Sequence, residues 1–436
     1  MSRYRSRPRF TTLRTSVAPL GFRNFALYWL GFTTSNTGRW IELTGAVWLA
    51  YELTNSPFQL GLIGLARAVP VALLSPFAGV LADRVDQRRM LMAVQVLGLI
   101  APLVLGLLVI TGYVEVWHLY LQVAIQAMVQ AFDASIRQAL FPRLVPRGYL
   151  AEAVTLQAMA GRTSSLIGPS VGGLAIATWG EAAPFLLNAA TFPVLFLAVV
   201  LMRGVVPRSP IEGSTFRGDL IEGLRYVLRA PVISGLLKLE VAFGLLQVNP
   251  VIITIIGREV LGVGPEGLGG LLSAQALGAL LGIGGLLAVG QPRRQGRFVV
   301  VCQLAYAASI VGFAVSQDYR ISFLVLAASG ALDSLASVTR NSVMQLAAPG
   351  RMRGRVMANL GTVIRGTQPL SQTQSGFLAG VLGPSSAVIA SAIALALAAS
   401  AIGRSNHSLW AFTRDDHRAT PAETAATLSS PEQAVQ

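Results

Sequence analysis

The sequence predicts an all-α membrane protein whose twelve transmembrane helices form two pseudo-symmetric bundles of six. Three observations carry this expectation. Of 436 residues, 53% are hydrophobic and 12% charged, with a mean hydropathy of +0.59, against roughly 25% charge in a soluble domain. Apolar runs of about 20 residues, the length needed to cross a bilayer, recur along most of the chain between short charged, Gly or Pro breaks. Segments of the first half also reappear in the second at a constant offset. Backbone N–H and C=O groups cannot remain unpaired in lipid, so each apolar run becomes a helix and each short charged break a loop.

Taken in order, the runs place crossings at 24–50, 59–82, 90–110, 117–139, 153–177 and 183–202, then at 232–256, 267–289, 298–316, 321–344, 355–379 and 384–403. This divides the chain into a basic N-terminus (1–23), a six-helix bundle (24–202), a linker (203–231), a second six-helix bundle (232–403) and a disordered polar tail (404–436). The N-terminus carries Arg3, Arg5, Arg7, Arg9, Arg14 and Arg23 without an acid, and no short apolar core with a cleavage site follows. That pattern argues against a signal peptide and for retention of the N-terminus in the cytoplasm, with an organelle transit peptide as the alternative. In the linker, Phe216, Leu220, Ile221, Leu224, Val227 and Leu228 fall at helical spacing with Arg217, Arg225 and Arg229 between them. The spacing predicts an amphipathic helix lying on the inner leaflet.

Sorted by this topology, most of the basic loop residues fall on the side of the N-terminus, and Arg258 and Arg320 fall on the other. The positive-inside rule then puts both termini in the cytoplasm of a multi-pass cell-membrane protein. Membrane location also removes the nucleic-acid reading of the net charge of +14. Cys302 is the single cysteine, and His118, His407 and His417 share no ligand spacing. No metal site, cofactor, Walker lysine motif or catalytic constellation is therefore expected, which argues against an enzyme or an ATP-driven pump. The expected partners are membrane lipids, a small-molecule substrate and protons as a candidate coupling ion, with the chain acting as a monomer.

The internal repeat aligns Gly61-Leu62-Ile63-Gly64-Leu65 with Gly267-Leu268-Gly269-Gly270-Leu271, an offset of 206 residues. The same offset sets Gly79, Leu81, Ala82 and Arg88 opposite Gly285, Leu287, Ala288 and Arg294, while Asp83 faces Val289. Two similar halves follow, and the second lacks the acid. The run Gly79 to Arg89 is thus a charged hairpin between the second and third crossings, on the cytoplasmic side.

Ionisable groups inside crossings mark cavities, partners or function, because each costs about 2.5–3.5 kcal/mol near the bilayer centre. Arg39 and Glu42 share a face of the first crossing; they either neutralise one another or leave Glu42 as a protonatable acid beside an anion-binding arginine. Arg162 and Arg365, half way along the fifth and eleventh crossings, have no acid within a turn and make the cavity attractive to anions. Glu240 in the seventh crossing is a second candidate proton site, and Asn249-Pro250 predicts a kinked, polar part of the cavity. Asp133 and Arg137, at i and i+4 near the inner end of the fourth crossing, match the hairpin in depth rather than the substrate cavity. They are expected either as a static pair or in a network with Asp83, Arg84 and Arg88 that Arg353 and Arg355 join from the other half. Gly161, Gly168, Pro169, Gly172 and Gly173 give the fifth crossing close-packing and bending positions.

Together, the paired halves, the long inner linker and Gly-x-Leu-Ala-Asp-Arg at Gly79 to Arg84 resemble the major facilitator superfamily of secondary transporters. Leu53-Thr54-Asn55-Ser56-Pro57 and Arg137 to Pro146 are similar to the branch that contains the enterobactin exporter and the macrolide efflux proteins. The resemblance implies the major facilitator fold, alternating access, and a hairpin that braces the two halves in the outward-open state. It also implies that Gly161 and Gly168 to Gly173 belong to an antiporter motif. Gln87 departs from the arginine usual there, and the fourth-crossing arginine of many proton antiporters is absent from Val116 to Gln130. The expected function is export of small amphipathic molecules of drug, macrolide or siderophore type. The alternatives are uptake of an organic anion by Arg39, Arg162 and Arg365, or a non-transporting receptor that reuses the fold.

Overall fold

The computed structural model describes residues 17–84, 86–202, 229–349 and 352–413 together with positions 225 and 227. Most of the basic N-terminus, most of the expected linker helix and most of the polar tail lie outside the described residues. The first half is built from α1 (Arg23–Thr54), α2 (Pro57–Arg84), α3 (Gln87–Thr111), α4 (Val116–Leu140), α5 (Leu150–Trp179) and α6 (Ala183–Leu201). The second contains α7 (Pro231–Leu246), α8 (Pro250–Glu259), α9 (Pro265–Val289), α10 (Gln295–Val315), α11 (Tyr319–Ala347), α12 (Arg353–Leu382), α13 (Pro384–Ser405) and a short α14 (His407–Ala411). With α7 and α8 counted as one interrupted segment, eight spans among the described residues are long and apolar enough to cross a membrane. The remaining long helices α1, α4, α5 and α12, of 32, 25, 30 and 30 residues, extend about 37–48 Å at 1.5 Å per residue. Polar side chains, not length, set them apart.

Local chemistry explains the helix ends. Asp86 starts α3 by accepting from the N–H groups of Arg88 and Arg89, and Asp318 does the same for α11 at Arg320 and Ile321. Gly112, Gly180 and Gly383 end α3, α5 and α12 at φ of 75°, 84° and 85°, a region that disfavours a side chain. Between α7 and α8 the chain extends at Gln247 and Asn249. Pro250 cannot donate a backbone bond there, and the Asn249 side chain accepts from Val251 and Ile252 to start α8.

Within the first half α1 packs on α5 and α6, α2 on α4, and α3 on α6; within the second α11 packs on α9 and α10, and α13 on α10. The halves meet along two crossings, α2 on α12 and α5 on α9. Both depend on missing side chains. A Cβ at Gly61 would lie 2.9 Å from the Cα of Gly376, and one at Gly173 would lie 3.1 Å from the Cα of Gly269. Ser170 and Ser273 share a 2.8 Å hydrogen bond beside the second crossing.

The apolar core is divided unevenly. One cluster, away from the termini, joins both halves: Trp48, Leu49 and Phe185 pack in it with Ile252, Ile255 and Phe313. At the end carrying the termini there are two separate clusters, one around Phe25, Leu91 and Ile136 and the other around Leu236, Val299 and Val343. Among the described residues the halves share one core at one end and have separate cores at the other.

The glycines of α5 therefore differ in what they do. Gly168 and Gly172 lie against Trp40, Ile41 and Thr44 of α1, Gly173 lies against α9, and Gly161 has nothing within 4 Å of its Cβ position. Gly173→Val should destabilise the protein by about 1–3 kcal/mol through overpacking, whereas Gly161→Ala should be neutral or stabilising by up to about 1 kcal/mol. Thermal unfolding midpoints in detergent check this, and equal midpoints for the two variants would contradict the crossing.

Candidate functional site

Where the halves part, they enclose a cavity of about 480 Å³ lined by α1 to α6 and α7 to α12. Its wall runs from Phe32, Asp133 and Arg137 near the terminal end to Ala46 and Pro250, where it meets the shared core at Ala46, Val248 and Leu272.

The first half contributes most of the charge. Glu42 is 7% exposed and accepts hydrogen bonds from the side-chain amides of Gln122, at 2.6 Å, and Asn188. Arg39 does not pair with it. Its guanidinium donates to Asn36, because α1 turns Glu42 toward α4 and α6 while Arg39 faces the cavity. The two form no direct ion pair, and each is held by side-chain amides instead. Arg67, not singled out from sequence, donates to Gln130 at 2.8 Å and also lines the cavity. Arg162 is on the wall as expected.

Asp133 and Arg137 form an ion pair at 2.6 Å, with Gln95 donating to Asp133 at 3.2 Å and the Arg137 guanidinium 5.2 Å from the Phe32 ring. The pair lines the cavity, which corrects the expectation that its depth matches only the hairpin: the cavity reaches the last turns of α4. Arg88 is not its partner. Arg88 donates to the carbonyls of Val199 and Val200, at 3.1 and 2.6 Å, so its charge caps the C-terminus of α6, where helix carbonyls lack partners. Gly79, Asp83 and Arg84 are in the last two turns of α2, but their side chains, like that of Arg355, lie outside the described residues. Arg353 is exposed at the start of α12.

In the second half Glu240 forms a buried ion pair with Arg340, and neither lines the cavity. Glu240, expected as a second candidate proton site, is thus ion-paired and off the cavity wall. The acid on that wall is Asp333 of α11, visible in sequence as a charge within an apolar run but with nothing to orient it. Asn249 lies on the wall at the α7–α8 break and donates to Ser371 Oγ at 3.1 Å and Ser375 Oγ at 2.8 Å. Arg365 is exposed and off the wall, where α12 contributes Gln368, Ser371 and Gln372 instead. Helical side chains lean toward the helix N-terminus, and Gly361 one turn earlier leaves space against which the Arg365 guanidinium lies. Its charge is directed toward the terminal face.

The end away from the termini is latched by side chains that sequence reasoning did not pick out. Arg258 pairs with Glu52 at 2.6 Å and lies 4.2 and 5.4 Å from the ring centres of Trp48 and Tyr51. Tyr51 donates to Glu259 at 2.8 Å, and Trp48 donates to Glu181 at 3.3 Å. Partial burial and the neighbouring Glu52 push the Glu181 carboxyl above the usual range, with the Trp48 hydrogen bond and Arg258 opposing. The only sequence signal was Arg258 as one of two cations on that face.

A helical bundle with a polar, charge-lined cavity between two halves defines a membrane transporter rather than an enzyme. Residues 14–427 match the profile of the family described as Transmembrane secretion effector, and the chain belongs to this family of the major facilitator superfamily. It is 28% identical to the uncharacterised MFS-type transporter YfiS of Bacillus subtilis over 57% of this chain and 60% of that protein. It is 25% identical to the multidrug efflux pump Tap of Mycolicibacterium fortuitum over 80% of this chain and 88% of Tap. The enterobactin exporter EntS of Shigella flexneri matches at 25% over 70% of this chain and 72% of EntS. In fold, the chain resembles the crystal structure of a bacterial homologue of the human lysosomal transporter Spinster, with a TM-score of 0.73 at 13% identity, covering 92% of this chain and 99% of that one.

Removing the latch cation should loosen the fused end. A half-exposed ion pair contributes about 0–1 kcal/mol and stacking of a guanidinium on aromatic rings about 0.5–1 kcal/mol, so Arg258→Ala should shift the balance of states by roughly 2- to 30-fold. Spin labels at the exposed positions Tyr113 and Val315, in a Cys302→Ala background, report the separation of the halves by pulsed resonance. A new, longer distance is expected, and an unchanged distribution would show that the latch does not hold this end.

Proposed function

We propose that the chain is a secondary active exporter of small amphipathic molecules, working by alternating access with both termini in the cytoplasm. The observation that carries this reading is the cavity between halves that share a core at one end and have separate cores at the end of the termini. In this orientation the structure faces inward, and rocking of the halves about the glycine crossings exchanges the open end. The efflux-pump and exporter relatives support the outward direction. Uptake of an organic anion is the second reading, supported by Arg39, Arg67 and Arg162 on one wall; it requires net inward flux.

Glu42 is the proposed proton carrier. Its oxygens are held by neutral amides, so a proton can be exchanged without breaking an ion pair. In everted vesicles with an imposed pH gradient, Glu42→Gln should lower gradient-driven accumulation of a dye such as ethidium at least tenfold while leaving downhill equilibration measurable. Full gradient-driven accumulation in the variant would remove the proton role.

The Gly79–Arg89 hairpin is proposed to close the terminal end in the outward-facing state, with Asp83 and Arg84 acting against Arg353 and Arg355. Asp83→Asn is then expected to slow turnover severalfold with dye affinity within about twofold of the parent, read from transport and equilibrium binding side by side. A large affinity loss at normal turnover would place Asp83 in cargo recognition instead.

A further inference from the structure

The two halves present opposite charge to the cavity. On the first half's wall Arg39, Arg67 and Arg162 outnumber Glu42, the Asp133–Arg137 pair being neutral. On the second half's wall the ionisable acid is Asp333. Most of these groups are already engaged: Arg39 by Asn36, Arg67 by Gln130, and Glu42 by two amides. Arg162 and Asp333 differ. Among the described residues neither side chain has a hydrogen bond or an ion pair within 4 Å, yet Asp333 is within electrostatic reach of Arg162 across the cavity. Both lie at mid-depth, the first on α5 and the second near the centre of α11.

Asp333 has no cation of its own half to itself. Arg340, the cation of its own half within electrostatic reach, is already ion-paired with Glu240. Arg162 has no acid of its own half beside it. A molecule that displaces solvent from this wall must satisfy both groups, because an unpaired charge in a desolvated site is costly and a paired one gains from the lower dielectric.

We propose that Arg162 and Asp333 form a two-point receptor for zwitterionic amphipathic cargo, with a carboxylate on the Arg162 guanidinium and a cationic group on Asp333. This rests on the transporter reading above and narrows its substrate class. A planar guanidinium suits a carboxylate, which it can hold through two parallel hydrogen bonds. Because the two points belong to different halves, a zwitterion is anchored to both and its binding energy draws the parted ends together. A singly charged molecule engages one half.

The test uses three related dyes with the purified full-length protein: rhodamine B (carboxylate and cation), rhodamine B ethyl ester (cation alone) and fluorescein (anion alone), with binding read by fluorescence anisotropy. The parent should bind rhodamine B about tenfold more tightly than its ester. Arg162→Gln should abolish that preference by weakening rhodamine B and fluorescein but not the ester; Asp333→Asn should weaken both rhodamines but not fluorescein. The charge-retaining Arg162→Lys and Asp333→Glu should keep part of the preference, which separates recognition from a folding defect. Equal binding of rhodamine B and its ester by the parent, absence of binding by all three, or uniform weakening by both variants would overturn the receptor. Vesicle transport of the same dyes distinguishes the two readings. Transport without charge preference leaves the exporter and removes the receptor, whereas charge-selective binding without transport leaves the receptor and removes the exporter.

Discussion

The cost of placing a charge in hydrocarbon organises this molecule. At about 2.5–3.5 kcal/mol for each exposed group at the bilayer centre, every ionisable side chain in a long apolar helix must find a partner, an aqueous wall or a helix end. All three solutions occur. Asp133 with Arg137 and Glu240 with Arg340 are paired within their own halves. Arg39, Glu42, Arg67, Arg162 and Asp333 line the cavity. Arg88 reaches the carbonyl end of α6, and Arg365 is directed along Gly361 toward the terminal face. A cavity with charged walls is therefore a condition for this sequence to occupy a membrane at all, and the site follows from it.

The uneven division of the core gives that cavity its direction. One apolar cluster serves both halves away from the termini, and two clusters serve them separately at the other end. Packed interiors tolerate little deformation, so movement concentrates where cores are already separate and where Gly61 with Gly376 and Gly173 with Gly269 let helices cross closely. Glu52 and Arg258, the latch pair, are separated by the 206-residue offset of the internal repeat. Equivalent positions approach each other only near the axis relating the two halves, and opposite charges there turn a symmetric contact into an attractive one. At the other end the repeat is broken, since Asp83 is matched by Val289, which is 91% exposed. The two ends are held by different chemistry.

The break between α7 and α8 shows how a local rule serves the site. Pro250 ends the backbone ladder, and Asn249 uses its carbonyl to cap α8 and its amide to reach Ser371 and Ser375 of α12. One side chain thereby closes the polar gap in an apolar helix and places amide and hydroxyl groups on the cavity wall, a form of irregular backbone that membranes tolerate only beside such a cavity.

Helices and their boundaries were legible in the sequence because hydropathy, proline and capping residues act within a few positions of where they stand, and the repeat was legible because it is a property of the string. Arg39, Glu42, Arg162 and Asn249 could be nominated as cavity residues because a charge or a proline-linked break in a crossing is anomalous on its own. Which charge meets which was not legible. Helical spacing brought Arg39 to Glu42, but packing of α1 against α4 and α6 gave Glu42 to Gln122 and Asn188 and left Arg39 to Asn36. Glu240 was drawn to Arg340, 100 residues away, and the cavity wall went to Asp333 instead. Residue type and period thus determine that a group must be compensated, while its partner depends on rotation and depth of helices distant in sequence, which only the tertiary structure decides.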